Sequence, residues 1–188
     1  VWDGELYLEC HRGTFTTQGL MKKLNRQLEL RLRDVEFLSA VGDTWPGEEL
    51  DRIWQETLLN QFHDILPGSS IAWVYDDAHR ESRANLQALD TLQQTALESL
   101  HGRVRPAGTN REQSYLVYNT LSWSRTATVT VPALRGACCA YGPDGEALPC
   151  ERVGTKLACE AVLPPLGYTT IVVRNAKGAV VKGARATK

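Results

Sequence analysis

The chain has 188 residues, 43% of them hydrophobic, enough for one domain or two small ones with a real core and too many for a wholly disordered chain. The net charge of −1 conceals an asymmetry: residues 1–105 carry 11 Lys and Arg against 17 Asp and Glu, and residues 106–188 carry 10 against 5. Five of the later basic residues, Arg174, Lys177, Lys182, Arg185 and Lys188, fall in the last fifteen positions, which reads as a solvated basic tail over 175–188 and gives no nucleic-acid surface. The five cysteines, Cys10, Cys138, Cys139, Cys150 and Cys159, contain no CxxC pair, so buried thiols in a reducing compartment are favoured over a zinc knuckle. No apolar run approaches a membrane span and the opening residues do not read as a leader, so the sequence supports neither membrane insertion nor export and a cytoplasmic location is expected. The chain opens without Met, as a piece of a longer one would.

From the N-terminus, residues 5–8 read as extended and 12–17 as a loop that closes on a threonine cap. Leu20, Leu24, Leu28, Leu32, Val35 and Leu38 recur at steps of three and four, which predicts a helix near 18–40. Gly42, Pro46 and Gly47 break it. Leu50, Ile53, Trp54, Thr57, Leu58 and Phe62 mark a second amphipathic helix with His63 at its end, and a third stripe runs from Ile71 through Val74, Ala78, Leu86, Leu89, Leu92, Ala96 and Leu97 to Leu100. Three stripes with short breaks predict an antiparallel three-helix bundle over 1–105.

After Arg105-Pro106-Ala107-Gly108 the period changes to alternation. Residues 115–118, 126–131 and 168–173 read as strands, with turns at 142–145 and at Gly154. The fold class expected is therefore α+β: a three-helix bundle followed over 106–174 by a partial antiparallel β-sandwich with a thin core.

The most informative residues are Asn60-Gln61-Phe62-His63-Asp64, which put an imidazole beside a carboxylate just before the turn written in Leu66-Pro67-Gly68-Ser69-Ser70. Ser69 or Ser70 can cap the helix that follows. The His63-Asp64 pair can hold a metal, grip a polar substrate, or serve structurally, and taken alone the structural role is the commoner one. Asp76 and His79 share a helix face, but a solvated face accounts for them and for Asp77 better than a metal does. Trp54 and Trp73 sit on apolar stripes and read as core, and His101 suits a helix C-terminus.

Three segments resemble the α-mannosidases of glycoside hydrolase family 38, nearest their cytosolic and vacuolar branch. Residues 5–18, from Glu5-Leu6-Tyr7-Leu8 through His11-Arg12-Gly13 to Gln18, resemble the loop leading from the family's catalytic barrel into its helical middle domain. Residues 58–71, containing Asn-Gln-Phe-His-Asp, resemble the most specific motif of that domain. Val117-Tyr118-Asn119-Thr120-Leu121-Ser122-Trp123-Ser124-Arg125 is similar to the opening of the family's β-rich C-terminal part.

The resemblance implies retaining hydrolysis of terminal α-mannosides at a divalent metal, commonly zinc, with two carboxyl groups as nucleophile and acid. It assigns His63 to a metal ligand and Asp64 to a carboxylate that accepts hydrogen bonds from sugar hydroxyls. More softly, it turns His11 or Arg12 toward the sugar, although Arg12 could equally pair with Glu9 or cap carbonyls. At Phe62 the chain differs from branches that carry histidine there. The catalytic residues and remaining ligands would belong to the barrel that precedes this segment, the expected partner, so the segment alone is expected to be inactive. The competing reading is a non-catalytic carbohydrate-binding or protein-interaction module.

Overall fold

The computed structural model describes residues 13–103 and 112–175, which form three helices and six strands. The chain divides into two compact units between Leu100 and His101. No helix among the described residues is long and apolar enough to cross a membrane.

In the first unit α1 spans Gly19–Gly42, α2 spans Gly47–Asn60 and α3 spans Ala72–Arg103. Buried positions step by three and four on every helix: Met21, Leu24, Leu28, Leu32, Val35, Leu38 and Gly42 on α1, Leu50, Ile53, Thr57 and Asn60 on α2, and Tyr75, Ala78, Ser82, Asn85 and Leu89 on α3. That heptad-like spacing keeps one seam facing inward along nearly parallel axes. Leu28, Leu32, Val35, Leu50, Ile53 and Leu89 form the centre of the core. Ser99 on α3 donates to the Gly42 carbonyl at 2.7 Å, and Met21 packs with Tyr75 and Ala78, so α1 and α3 run in the same direction. Gln61 reaches Asn25, and the Trp54 indole donates to Glu36 at 2.8 Å, which sets α2 antiparallel to α1.

Several details differ from the sequence expectation. The long helix has no threonine cap: Gln18, in the left-handed region at φ 48°, precedes it without a side-chain capping bond. Helix α2 stops at Asn60, so Phe62 no longer continues its stripe and stands exposed. Leu58 lies beside the 50-53-57-60 seam and is exposed as well, and Met21 takes the interior place expected of Leu20. Ile71 and Trp73 are exposed, because the α3 seam begins only at Tyr75; Trp54, by contrast, packs against the core.

The second unit holds two three-stranded antiparallel sheets, ordered β1-β6-β3 and β2-β5-β4, with β1 Glu112–Asn119, β2 Arg125–Pro132, β3 Cys138–Tyr141, β4 Cys150–Val153, β5 Lys156–Leu163 and β6 Gly167–Asn175. On β5, Leu157, Cys159, Ala161 and Leu163 alternate inward and meet Ile171 and Val173 of β6 across the sandwich. Buried Asn119 organises the corner where the chain passes from one sheet to the other. Its amide donates to the Trp123 and Pro164 carbonyls at 2.9 and 2.8 Å, and its oxygen accepts the Leu121 N–H at 3.2 Å. Arg174, counted with the basic tail by sequence, and Asn175 both lie in β6; Arg174 pairs in register with Glu112 and stands 5.0 Å over the Tyr141 ring. Residues 176–188 lie outside the described residues.

No disulfide joins Cys138, Cys139, Cys150 and Cys159 to one another, and the last three are buried. Burial pushes the Cys159 thiol up to about 11, with Cys150 nearby adding to the shift, and burial raises Cys150 too.

Candidate functional site

The segment between α2 and α3 is a set of short turns. Gln61 and Phe62 donate backbone N–H groups to Leu58 and Leu59, which tightens the end of α2, and Ile65 and Leu66 then donate to the Phe62 carbonyl at 3.0 and 3.3 Å. His63 and Asp64 are thus the two central residues of the Phe62–Ile65 turn, a position from which side chains point outward. Both are exposed, their side chains at 74% and 61%. The His63 Nε2 stands 3.4 Å from Asp64 Oδ2, and the Phe62 and His63 rings lie 4.3 Å apart at 42°. His63 thus lies outside the core of this bundle.

Four side chains fix the backbone beneath the pair. Gln61 donates from Nε2 to Asn25 Oδ1 at 3.1 Å and to Glu29 Oε1 at 3.0 Å, anchoring the segment to α1. Ile65 packs against Met21, Tyr75 and Ala78. The buried Tyr75 hydroxyl accepts the Ser70 N–H at 2.9 Å and faces the carbonyls of Asp64 and Ile65, each at 3.2 Å. Lys22 donates from Nζ to the carbonyls of Leu66 at 3.0 Å and Pro67 at 3.4 Å. The exposed pair therefore rides on a pinned turn, the condition under which a side chain can offer a ligand in a fixed direction.

Lys22 also donates to the Thr17 carbonyl at 2.7 Å, which brings loop 13–17 to the same end of the bundle. Gly68, at φ +96°, touches that loop: a Cβ there would lie 2.3 Å from Thr17 Cγ2. His11 and Arg12 precede this loop and lie outside the described residues. Asp76 and Asp77 are exposed, with Asp77 pairing to Arg80 at 2.6 Å, as a solvated helix face requires; His79 departs from that face, half-buried against Tyr75 with its Nε2 shielded from water. A groove of about 490 Å³ in the second unit, lined by Asp144, Glu146, Glu160 and Thr169, contains no imidazole and none of the residues singled out by sequence.

Residues 9–100 match the family model of the alpha mannosidase middle domain. Alpha-mannosidase 2C1 of Mus musculus is 38% identical over 146 residues, covering 73% of this chain and 13% of that protein. The alpha-mannosidase of Saccharomyces cerevisiae is 44% identical over 82 residues, covering 40% of this chain and 8% of that protein. The chain belongs to the α-mannosidases of glycoside hydrolase family 38. It spans only a small part of the length of these family 38 relatives. The fold agrees: a crystal structure of a protein in glycosyl hydrolase family 38 from Enterococcus faecalis superposes with a TM-score of 0.77 at 14% identity, over 93% of this chain and 26% of that one.

Within this segment three residues that support the turn, Gln61, Tyr75 and Lys22, are given no role of their own by the sequence motifs. Gln61 stood inside the motif and could have been suspected. Tyr75 was detectable as an aromatic with a polar tip on an apolar stripe, a residue that needs a partner when buried. Lys22 gave no signal, since a lysine near a helix start reads as solvated.

Proposed function

We propose that this chain is the part of an α-mannosidase that lends one metal ligand, His63, and one sugar-binding carboxylate, Asp64, to an active site completed by the rest of the parent chain. The observation that carries this reading is the exposed imidazole-carboxylate pair on a turn fixed from both helices. An imidazole nitrogen and a carboxylate oxygen are donors that zinc and other divalent cations accept. Two donors fall short of the four that zinc takes, and among the described residues no three His, Cys, Asp or Glu side chains stand together as a metal site. The pair therefore fits a shared site and not a complete one.

When bound, the metal supplies a template and Lewis acid for mannose hydroxyls. His63 would hold it with a neutral ring nitrogen, and Asp64, ionised, would accept hydrogen bonds from sugar hydroxyls that an apolar residue could not. Two carboxyl groups from the preceding catalytic barrel would carry the retaining displacement at the anomeric carbon of a terminal α-mannoside or oligosaccharide. His11 or Arg12 would add contacts to the sugar. Leu58, Leu59, Phe62, Ile71 and Trp73, exposed on the elements flanking the turn, suit a surface that the barrel covers.

In the full-length enzyme, His63→Ala should lower both metal content and rate, and Asp64→Asn should raise KM while metal content holds. The 188-residue chain alone should neither turn over an aryl α-mannoside nor bind zinc at low micromolar concentration. Full metal occupancy in the His63→Ala enzyme overturns the ligand assignment, and robust turnover by the isolated chain overturns the shared site.

A further inference from the structure

We propose that Cys139 and Cys150 form a redox-sensitive dithiol that a small hydroperoxide oxidises to a disulfide, stapling β3 of one sheet to β4 of the other. The inference stands on the second unit alone and does not depend on the function proposed above.

Chain topology brings the two cysteines together. β3 is the outer strand of the β1-β6-β3 sheet and β4 the outer strand of the β2-β5-β4 sheet. Between them the chain reverses at 142–145, where the Gly142 N–H donates to the Glu146 carbonyl at 2.9 Å. It then returns along β3: Tyr141 bridges to Ala147, and the Leu148 N–H donates to the Ala140 carbonyl at 2.9 Å. Cys139 directly precedes Ala140, and Cys150 follows Leu148 across Pro149. Both are buried in one apolar cluster, at 3% and 9% exposure, and their thiols hydrogen-bond to each other. The Ala140 N–H donates to the Cys150 sulfur as well. Two sulfurs already in such contact need only a short approach to reach a bond of about 2.05 Å.

The other two thiols are placed differently. Cys159 stands opposite Cys150 in register on β5, but its Sγ–H donates to the Val129 carbonyl at 3.4 Å, toward β2 on the far side of β5. Cys138 is half-exposed, and its sulfur accepts from Arg152 Nη2 at 3.2 Å. Cys139 is therefore the partner that the geometry selects for Cys150.

The chemistry balances without a cofactor. The Cys150 sulfur attacks one oxygen of the hydroperoxide and the O–O bond breaks. The other oxygen leaves as water or alcohol with the thiol proton, and Cys150 becomes a sulfenic acid. The Cys139 sulfur then attacks the Cys150 sulfur, the S–O bond breaks, and the hydroxyl leaves as water with the Cys139 proton. Two thiols thus give two electrons to the hydroperoxide, and a dithiol reductant reverses the change. Burial makes the reaction slow and admits hydrogen peroxide ahead of bulky oxidants.

The test is peptide mapping of the full-length enzyme after the folded protein is exposed to hydrogen peroxide, quenched in acid and alkylated. Trypsin releases Cys138, Cys139 and Cys150 in one peptide, residues 136–152, and Cys159 in another, residues 157–174. The first peptide should lose two hydrogens and keep one alkylated cysteine, which fragmentation places at Cys138. The disulfide should persist in Cys138→Ala, vanish in Cys139→Ala and open with dithiothreitol, and amide exchange along β4 should slow about threefold or more in the oxidised protein. A peptide with all three cysteines alkylated overturns the proposal, as does a link from Cys150 to Cys138 or Cys159, oxidation confined to Cys138, or unchanged exchange in β4. Fragmentation reads the connectivity in the parent protein even where Cys139→Ala does not accumulate. In urea the same treatment should scatter links among the cysteines, and a single Cys139–Cys150 link there would remove the fold as its cause.

Discussion

The Tyr75 hydroxyl lies 3.2 Å from the carbonyl oxygen of Asp64, so a side chain buried in the first turns of α3 holds the backbone of the residue proposed to bind sugar. The same oxygen accepts the Ser70 N–H at 2.9 Å, closing the turn segment onto the helix that follows it.

Replacing Tyr75 by Phe keeps the ring and removes both connections. The Ser70 N–H, on a half-buried residue, loses its acceptor, and a typical intramolecular hydrogen bond contributes about 0.5–1.5 kcal/mol. The chain should lose roughly that much stability in denaturant unfolding, and amide exchange at Ser70 should accelerate ahead of exchange in the α3 interior. Equal acceleration along all three helices would mean that the hydroxyl supports the bundle at large and not this turn.

The bundle's centre offers a larger effect. Leu89 is fully buried among Leu28, Leu32, Val35, Leu50 and Ile53, one residue from α3 touching the seams of both other helices. Leu89→Ala should cost about 2–5 kcal/mol through lost burial and the cavity left behind. Leu58→Ala, on the exposed flank of α2, should cost less than 1 kcal/mol in this chain. Similar midpoints for the two variants would contradict the seam described for α2 and α3.

Helix number, order and approximate bounds were legible because the heptad-like stripes are long, and a long stripe averages out single errors. The errors sit at the ends. Phe62, Ile71 and Trp73 extend the apolar pattern in sequence, yet α2 stops at Asn60 and the α3 seam opens only at Tyr75, so all three face outward. Periodicity cannot report where a helix stops when the next residue is also apolar. His63 and Asp64 were legible as chemistry, but what makes them rigid was not: Lys22 and Tyr75 act across 44 and 11 residues of sequence through contacts that leave no local pattern. Asn119 is the reverse case, for its motif was read by likeness alone and its physical task, satisfying three backbone groups at the sheet corner, became visible only in the fold.

Gly68 and Gly145 separate two costs that glycine replacements usually mix. Both have positive φ, +96° and +81°, but a Cβ at Gly145 meets nothing within 4 Å, whereas at Gly68 it meets Thr17 Cγ2 at 2.3 Å. Gly145→Ala should cost about 1 kcal/mol from backbone strain alone. Gly68→Ala should cost more and should speed amide exchange in loop 13–17, because Thr17 must move. Equal costs in the two variants would remove the loop-to-turn contact from the account.

The sandwich should show its own pH dependence through Cys159. Its thiol is buried against β2, where it donates to the Val129 carbonyl at 3.4 Å, and burial moves it from 9.0 to about 11. Below pH 9 the thiol is protonated in folded and unfolded chains alike and the group is neutral toward stability. Between 9.0 and about 11 the unfolded chain ionises while the folded one does not, so the unfolded state binds fewer protons and stability falls as pH rises. The fall is at most about 1.4 kcal/mol per pH unit for one such group. Cys150, raised in the same direction by burial, steepens it. Denaturant unfolding of the chain from pH 8 to 11 should show this decline, and Cys159→Ala should make it shallower without removing it. In the native chain at pH 8, iodoacetamide should label half-exposed Cys138 well before Cys150 or Cys159. A stability profile flat to pH 11, or prompt labelling of Cys159, would show that the strands open too readily to keep this thiol from water.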